Sequence, residues 1–278
     1  MPEEPSTRHA PPATADPRDT GSSDSRSMWL LLTATPLVLL VTYYVSFMTH
    51  EYGHSFAAWI LGIKPSPWPI HWGSNSIGNI LFLDEVDEHV DYDAAMASGK
   101  NLAVAVVALS GIAVNALLYL VFRFPTPLWR TSTHRLVAYS TFWLLCMEVG
   151  NFFCYVPIRV ASPSGDMHNW TVGTHQSWWW LYVIIGYLTL WAMVDFYRTV
   201  MPATLDASDI RTPFGRAVVL VMATLILFGY FAGPGLMKDH DVTQFISRTS
   251  LLLIPVVLLV NWRRVVTPPG SPAVANRL

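Results

Sequence analysis

Six apolar segments decide what this chain can fold into. Hydrophobic residues make up 52% of the chain and charged residues only 13%, and the charges cluster between the apolar segments. Each segment is long enough to cross about 30 Å of hydrocarbon as a helix. The segments cover about residues 30–62, 101–122, 136–158, 178–197, 215–236 and 246–262. The sequence therefore predicts an all-α polytopic membrane protein with six transmembrane helices.

The two ends of the chain differ from the predicted transmembrane domain at residues 28–264. Residues 1–27 are rich in Pro, Ser, Thr, Asp and Arg, a composition typical of a disordered tail. Residues 265–278 form a second, proline-bearing tail. We expect neither tail to carry chemistry.

The sequence His50-Glu51-Tyr52-Gly53-His54 interrupts the first apolar segment. Ionisable groups in a membrane span are costly and usually functional. Residues four apart share a helix face, so both histidines could hold one metal ion with Glu51 beside it as a general base. Two core histidines bonded to backbone carbonyls, with Glu51 as a cap, would not explain why three polar groups interrupt the segment. The spacing is the HExxH pattern of zinc proteases.

A catalytic zinc site needs a third protein ligand and an open position for water. The chain has no CxxC pair, and Cys146 and Cys154 are too far apart on one predicted helix for a disulfide, so a zinc site must use His and carboxylate. The other candidates are Asp166, Glu148, Asp195, His168, His71, His89, His134, His175 and His240. The segment 163–168 follows the third span on the same face as the motif and could fold back toward it. Asp195 lies near the opposite face.

Three motifs in order resemble those of the site-two proteases, the intramembrane zinc metalloproteases. They are HEYGH in the first span, Gly111-Ile112-Ala113-Val114-Asn115 in the second, and Asn151 followed by Pro157 and Gly165-Asp166 after it. The resemblance covers about residues 40–170, which would be the catalytic core. It implies an enzyme that hydrolyses a peptide bond in or near a transmembrane segment of a protein substrate.

The resemblance also implies roles for single residues. His50, His54 and Asp166 would bind one zinc ion, and Glu51 would activate water. The family usually has a proline where this chain has Ile112 and a glycine where it has Met167. His168 therefore remains a rival third ligand.

Two buried amides complete the predicted site. The resemblance implies that Asn115 and Asn151 orient the substrate or the metal site. Hydrogen bonding between packed helices is the alternative role.

Residues 64–100 form the longest internal polar segment. Residues 70–72 and 79–83 flank a turn rich in Gly, Ser and Asn, which predicts a small β-hairpin between the first and second spans. An exposed edge strand could hold an extended substrate segment. The acidic residues at positions 84–93 are typical of a solvated face.

The loop charges predict an orientation. Six spans place both termini on one side, and that side would carry twelve of the seventeen Lys and Arg residues. The positive-inside rule then predicts cytoplasmic termini in the cell membrane, with the motif end of the first span toward the exterior. Well-known site-two proteases have the opposite arrangement.

The sequence also limits the partners and the function. We expect the lipid bilayer and a transmembrane protein substrate as partners, and no nucleic acid. No segment between spans is long enough for a regulatory domain, so a membrane partner could supply regulation. A non-catalytic metal-binding scaffold would not need Glu51, and a di-iron oxygenase would need several histidine boxes where this chain has one. The sequence predicts a zinc metalloendopeptidase.

Overall fold

The protein is described by a computed structural model that covers residues 17–124 and 134–267, with side chains from residue 28 onward. Within these ranges the chain forms helices and no strand. The helices are α1 (Pro17–Ile60), α2 (Ile77–Phe82), α3 (Tyr92–Ala97), α4 (Asn101–Arg123), α5 (Arg135–Phe153), α6 (Asp166–Thr174), α7 (Trp179–Asp195), α8 (Met201–Ala207), α9 (Pro213–Leu225), α10 (Gly233–Leu236), α11 (Asp241–Leu251) and α12 (Leu253–Val266). Helices α7 and α9 each continue into one π-helical turn, at Phe196–Val200 and Ile226–Tyr230, and α5 continues into an irregular turn at Cys154–Ile158, where Val156 has non-helical backbone angles.

Among the described residues, six helical stretches are long and apolar enough to cross a membrane. They are Met28–Ile60, Asn101–Arg123, Arg135–Ile158, Trp179–Ala207, Pro213–Leu236 and Asp241–Val266. This confirms the all-α class and the six predicted transmembrane helices, which suggest a multi-pass membrane protein.

Helix α1 begins at Pro17, inside the segment predicted to be a disordered tail. Proline is favoured at the first helical position because its missing N–H would have no partner there. From Pro17 the helix continues without a break into the first apolar segment. The rest of that tail, residues 1–16, and most of the C-terminal tail, residues 268–278, lie outside the described residues.

Helix α5 lies at the centre of the bundle. Its residues Tyr139, Phe142 and Trp143 are fully buried, and the ring of Phe142 stacks on Phe196 with 5.3 Å between centroids. The hydroxyl groups of Tyr139 and Thr35 hydrogen-bond at 2.6 Å and join α5 to α1. This packing fixes α5 against the helix that carries the HExxH motif.

Helices α1 and α4 cross closely at two glycines. A Cβ atom on Gly53 would lie 2.9 Å from Val114 Cγ2 and 3.3 Å from Gly111 Cα. Small residues at such a crossing let two membrane helices approach to backbone contact. The close approach brings α4 directly against the histidines of α1.

The predicted β-hairpin at residues 70–83 is wrong. The described structure has the short helix α2 there, and the one β-bridge in that region joins His71 to Asp87. The Ser76 hydroxyl accepts from the Asn79 N–H and starts the helix, so residues that resemble a hairpin turn form a helix cap. The Asn79 side chain then bonds Trp72 O, Ser74 O and Glu85 N, which closes the loop without strand pairing.

Two tyrosines and one lysine attach the segment 64–100 to α1. The hydroxyls of Tyr43 and Tyr44 donate to the carbonyls of Phe82 and Ile80 at the end of α2. Lys64 is buried, and its ammonium donates to Ser55 Oγ at 2.7 Å and to the Glu88 carbonyl at 2.5 Å. Burial lowers the pKa of Lys64, although the charge of Glu88 opposes that shift. These bonds place the segment beside the HExxH motif.

Candidate metal centre

Three side chains from two helices converge beside α4. His50 and His54 lie on one face of α1, one helical turn apart, and Asp166 is the first residue of α6. The Nε2 atoms of the two histidines are 3.0 Å apart, and Asp166 Oδ2 lies 3.8 Å from the His50 Nε2 and 3.4 Å from the His54 Nε2. Tetrahedral zinc with bonds of about 2.0–2.1 Å keeps its ligand atoms about 3.3 Å apart. The three atoms have the spacing of one small tetrahedral cation site.

The hydrogen bonds at Nδ1 of both histidines determine the state of their Nε2 atoms. His50 Nδ1 lies 2.5 Å from Asn115 Oδ1, and His54 Nδ1 lies 2.6 Å from the carbonyl of Val107. Because both partners are oxygen acceptors, each Nδ1 carries the proton and each Nε2 presents a lone pair. Two lone pairs and a carboxylate oxygen then face one another. Such a set of acceptors requires a cation or a proton between them.

Asp166 reaches the histidines because the chain turns back after the third span. The span ends in the irregular turn Cys154–Ile158, and Gly165 has a φ of 90° and a ψ of −171°, a conformation that favours glycine. The Asp166 Oδ2 atom lies within 4 Å of the Nε2 atoms of both histidines. The α6 amino terminus favours a negative charge there. Asp166 is therefore an anionic ligand candidate.

Gly111 leaves the space in which these groups meet. A Cβ atom at this position would clash with His54 Nε2 and would lie 2.6 Å from the Cε1 and Nε2 atoms of His50. The glycine of the second motif therefore makes room at the metal-facing atoms of both histidines.

Glu51 lies beside the three ligand candidates and has its own partner. Its carboxyl group is buried and interacts with the carboxyl group of Glu88. Glu88 is itself buried and accepts a hydrogen bond from the Tyr92 hydroxyl. The acidic run at 84–93, expected to be a solvated face, thus contributes one buried residue to the site. Only the fold of the 64–100 segment reveals this, because the run has no spacing that singles out Glu88.

Tyr155 is a second residue that the sequence did not single out. Its hydroxyl lies 2.8 Å from His50 Nε2, and its ring stacks on the His50 ring with 5.1 Å between centroids. The Arg159 guanidinium covers the Tyr155 ring at 4.6 Å. Pro157, which interrupts the helix two residues after Tyr155, is visible in the sequence.

The structure places the other ligand candidates away from the three converging atoms. Asp195 pairs with Arg123 at the opposite end of the bundle, His71 pairs with Asp87, and His240 caps α11. Glu148 bonds Asn115 at 2.5 Å and does not join the ligand group. In the described part of the chain, His50, His54 and Asp166 are the one such group found.

The two predicted amides have different places. Asn115 bonds His50 directly, as given above, whereas Asn151 donates to Ser46 Oγ at 2.9 Å and so joins α5 to α1. Asn115 therefore orients one of the ligand candidates, and Asn151 forms a hydrogen bond between packed helices.

Comparisons of the chain with protein-family models, curated proteins and solved structures found no match.

Proposed function

We propose that this protein is an intramembrane zinc metalloprotease of the site-two type, which hydrolyses a peptide bond in or near a transmembrane segment of a membrane protein. The observation that carries the proposal is the convergence of His50, His54 and Asp166, with both Nε2 lone pairs directed at one point. Three protein ligands leave a fourth tetrahedral position, as catalytic zinc sites require.

The residues present fit zinc better than the harder divalent ions. Two imidazole nitrogens and one carboxylate oxygen are ligands that zinc accepts, whereas magnesium and calcium prefer oxygen ligands alone. When bound here, zinc would supply a Lewis acid that polarises a carbonyl group and makes water more acidic.

Glu51 provides the proton chemistry in this proposal. Its carboxylate takes a proton from the attacking water and later delivers that proton to the nitrogen of the cleaved peptide bond. Its buried position excludes bulk water, which would compete for the proton. Glu88 holds the Glu51 carboxyl from the side of the 64–100 segment.

Tyr155 supplies a hydrogen-bond donor at the same point. Its hydroxyl can donate to the substrate carbonyl oxygen as that oxygen gains negative charge. The stacking on His50 fixes the direction of the hydroxyl before any substrate arrives.

The substitution Glu51→Gln tests this function. We expect cleavage to fall by about 100-fold or more, because a positioned general base contributes on the order of 10²–10⁴ in rate. Zinc should remain bound at about one ion per chain, because Glu51 is not a ligand. Membrane proteomes of cells with the wild-type and the Glu51→Gln protein should differ in an accumulated uncleaved membrane protein, and the purified proteins should have equal metal content.

His54→Ala is the matched control, since it should lose both zinc and cleavage. If Glu51→Gln left the membrane proteome unchanged while zinc stayed bound, a non-catalytic metal-binding protein would be the better conclusion.

A further inference from the structure

A buried carboxyl group lies two hydrogen bonds away from the candidate ligand His50. Glu148 is on α5 at the middle of the third span and is fully buried. A carboxyl group buried among membrane helices is costly and calls for a specific role. The proposed mechanism does not use it.

The carboxyl group of Glu148 is held at one of its oxygens. Its Oε2 accepts from Asn115 Nδ2 at 2.5 Å. The other oxygen, Oε1, has no hydrogen-bond partner among the described residues. The strong contact of Glu148 is therefore the one to Asn115.

This contact decides which way the Asn115 amide faces. An amide has one donor side and one acceptor side, and Glu148 Oε2 takes the donor side. The oxygen Oδ1 must then face His50, where it lies 2.5 Å from Nδ1. A rotated amide would lose the Nδ2 hydrogen bond to Glu148 Oε2 and would offer its N–H group to His50.

The orientation of the amide in turn sets the tautomer of His50. An acceptor at Nδ1 keeps the proton there and leaves Nε2 unprotonated toward the metal position. A donor at Nδ1 would shift the proton to Nε2, where it blocks a metal ion. Partners of this kind typically change metal affinity by about 10–100-fold.

We infer that Glu148 is a positioning residue that acts through Asn115 to keep Nε2 of His50 free for metal binding. The inference rests on the proposed metal site. It extends that site to α5, because Glu148 on α5 sets the tautomer of His50 on α1 through the Asn115 amide on α4.

Two substitutions distinguish the effect of the length of the Glu148 side chain from the effect of its charge. Glu148→Gln keeps an oxygen at the same distance, which can still accept from Asn115 Nδ2. Glu148→Asp keeps the carboxyl group but shortens the side chain by one methylene, so it no longer reaches Asn115. We expect Glu148→Gln to bind zinc within about threefold of wild type and Glu148→Asp to bind about tenfold more weakly, measured by competition with a chelator.

The same pair in an Asn115→Ala background tests whether Glu148 acts through the amide. There Glu148→Asp should weaken zinc binding no further, because the linking residue is gone. A full tenfold loss in that background would overturn the inference, as would Glu148→Asp with wild-type affinity or Glu148→Gln as weak as Glu148→Asp.

A measurement without metal keeps the inference separate from the proposed function. In metal-free protein with ¹⁵N-labelled histidine, the His50 signals, identified by their loss in His50→Ala, should show Nδ1 protonated in wild type and in Glu148→Gln. Glu148→Asp should shift the proton toward Nε2. An unchanged tautomer in Glu148→Asp would contradict the inference, whereas wild-type protein that binds no zinc would contradict only the proposed function.

Discussion

The two ends of the helix bundle both bury charged groups, but they satisfy them in opposite ways. At one end Asp195 accepts from Arg123 and from Tyr119, and the buried Arg216 donates to Asp206 and to the Ile210 and Val265 carbonyls. Each carboxylate there faces a guanidinium group. At the other end Asp166 faces two histidine nitrogens that present lone pairs.

The difference separates a structural charge from a binding charge. An Arg–carboxylate pair carries its own counter-ion and bidentate hydrogen bonds, so it joins helices and leaves nothing for a ligand. The histidine end gathers two histidine nitrogens and a carboxylate oxygen within 4.8 Å of one another, a set of atoms that could hold a cation. Asp195 and Asp166 were both candidate metal ligands, and their neighbours assign them different roles.

The largest expected effect comes from removing the charge at each end in turn. Asp166→Asn should weaken zinc binding by more than about 100-fold, because it neutralises a direct ligand. Asp195→Asn should leave zinc binding unchanged and lower the melting temperature, because it removes the negative charge that faces Arg123. Metal competition and thermal unfolding of both purified variants give the measurement.

Equal zinc affinity in wild type and Asp166→Asn would remove Asp166 from the ligand set. His168, the alternative two residues along the chain, would then be tested by His168→Ala.

The sequence predicted the spans well because each depends on local composition. The second span, expected at about 101–122, is observed at Asn101–Arg123. The placement of His50 and His54 on one helix face likewise follows from their separation by four residues in the sequence. The resemblance pointed to Asp166, and the structure brings it to the histidines through the turn at Gly165.

What the sequence missed depends on contacts between distant segments. Glu88 and Tyr155 reach the site only after the 64–100 segment and the third span have packed against α1. The hairpin prediction failed because Ser76 and Asn79 have the same residue types in a turn and in a helix cap. No local pattern distinguishes these cases.

A smaller effect is expected from the glycine that separates α4 from the histidines. Gly111→Ala places a methyl group against both metal-facing nitrogens, and overpacking of this kind typically costs about 1–3 kcal/mol. We expect zinc affinity to fall roughly tenfold, with a modest loss of thermal stability.

Gly186→Ala is the matched control in another membrane helix. Its Cβ atom would meet Val156 Cγ1 at 3.6 Å, an ordinary contact, so zinc affinity should not change. If Gly111→Ala bound zinc as well as this control, the α4 backbone would not be the wall of the metal site.

The mildest test asks which side each end of the bundle faces and should leave activity unchanged. The arginine end is the end of the bundle where the first span begins and the last span ends. In the predicted topology this side carries twelve of the seventeen Lys and Arg residues, so we expect it to face the cytoplasm. Ser74 is exposed in the segment beside the metal site, whereas Cys146 and Cys154 are buried. Ser74→Cys should therefore react with an impermeant thiol reagent added to intact cells, and a reporter fused after Leu278 should register the cytoplasm. Labelling only after the membrane is opened would place the metal site at the cytosolic side. The charge count would then have predicted the wrong orientation, because it includes charges in the long terminal segments, which are weak topology signals.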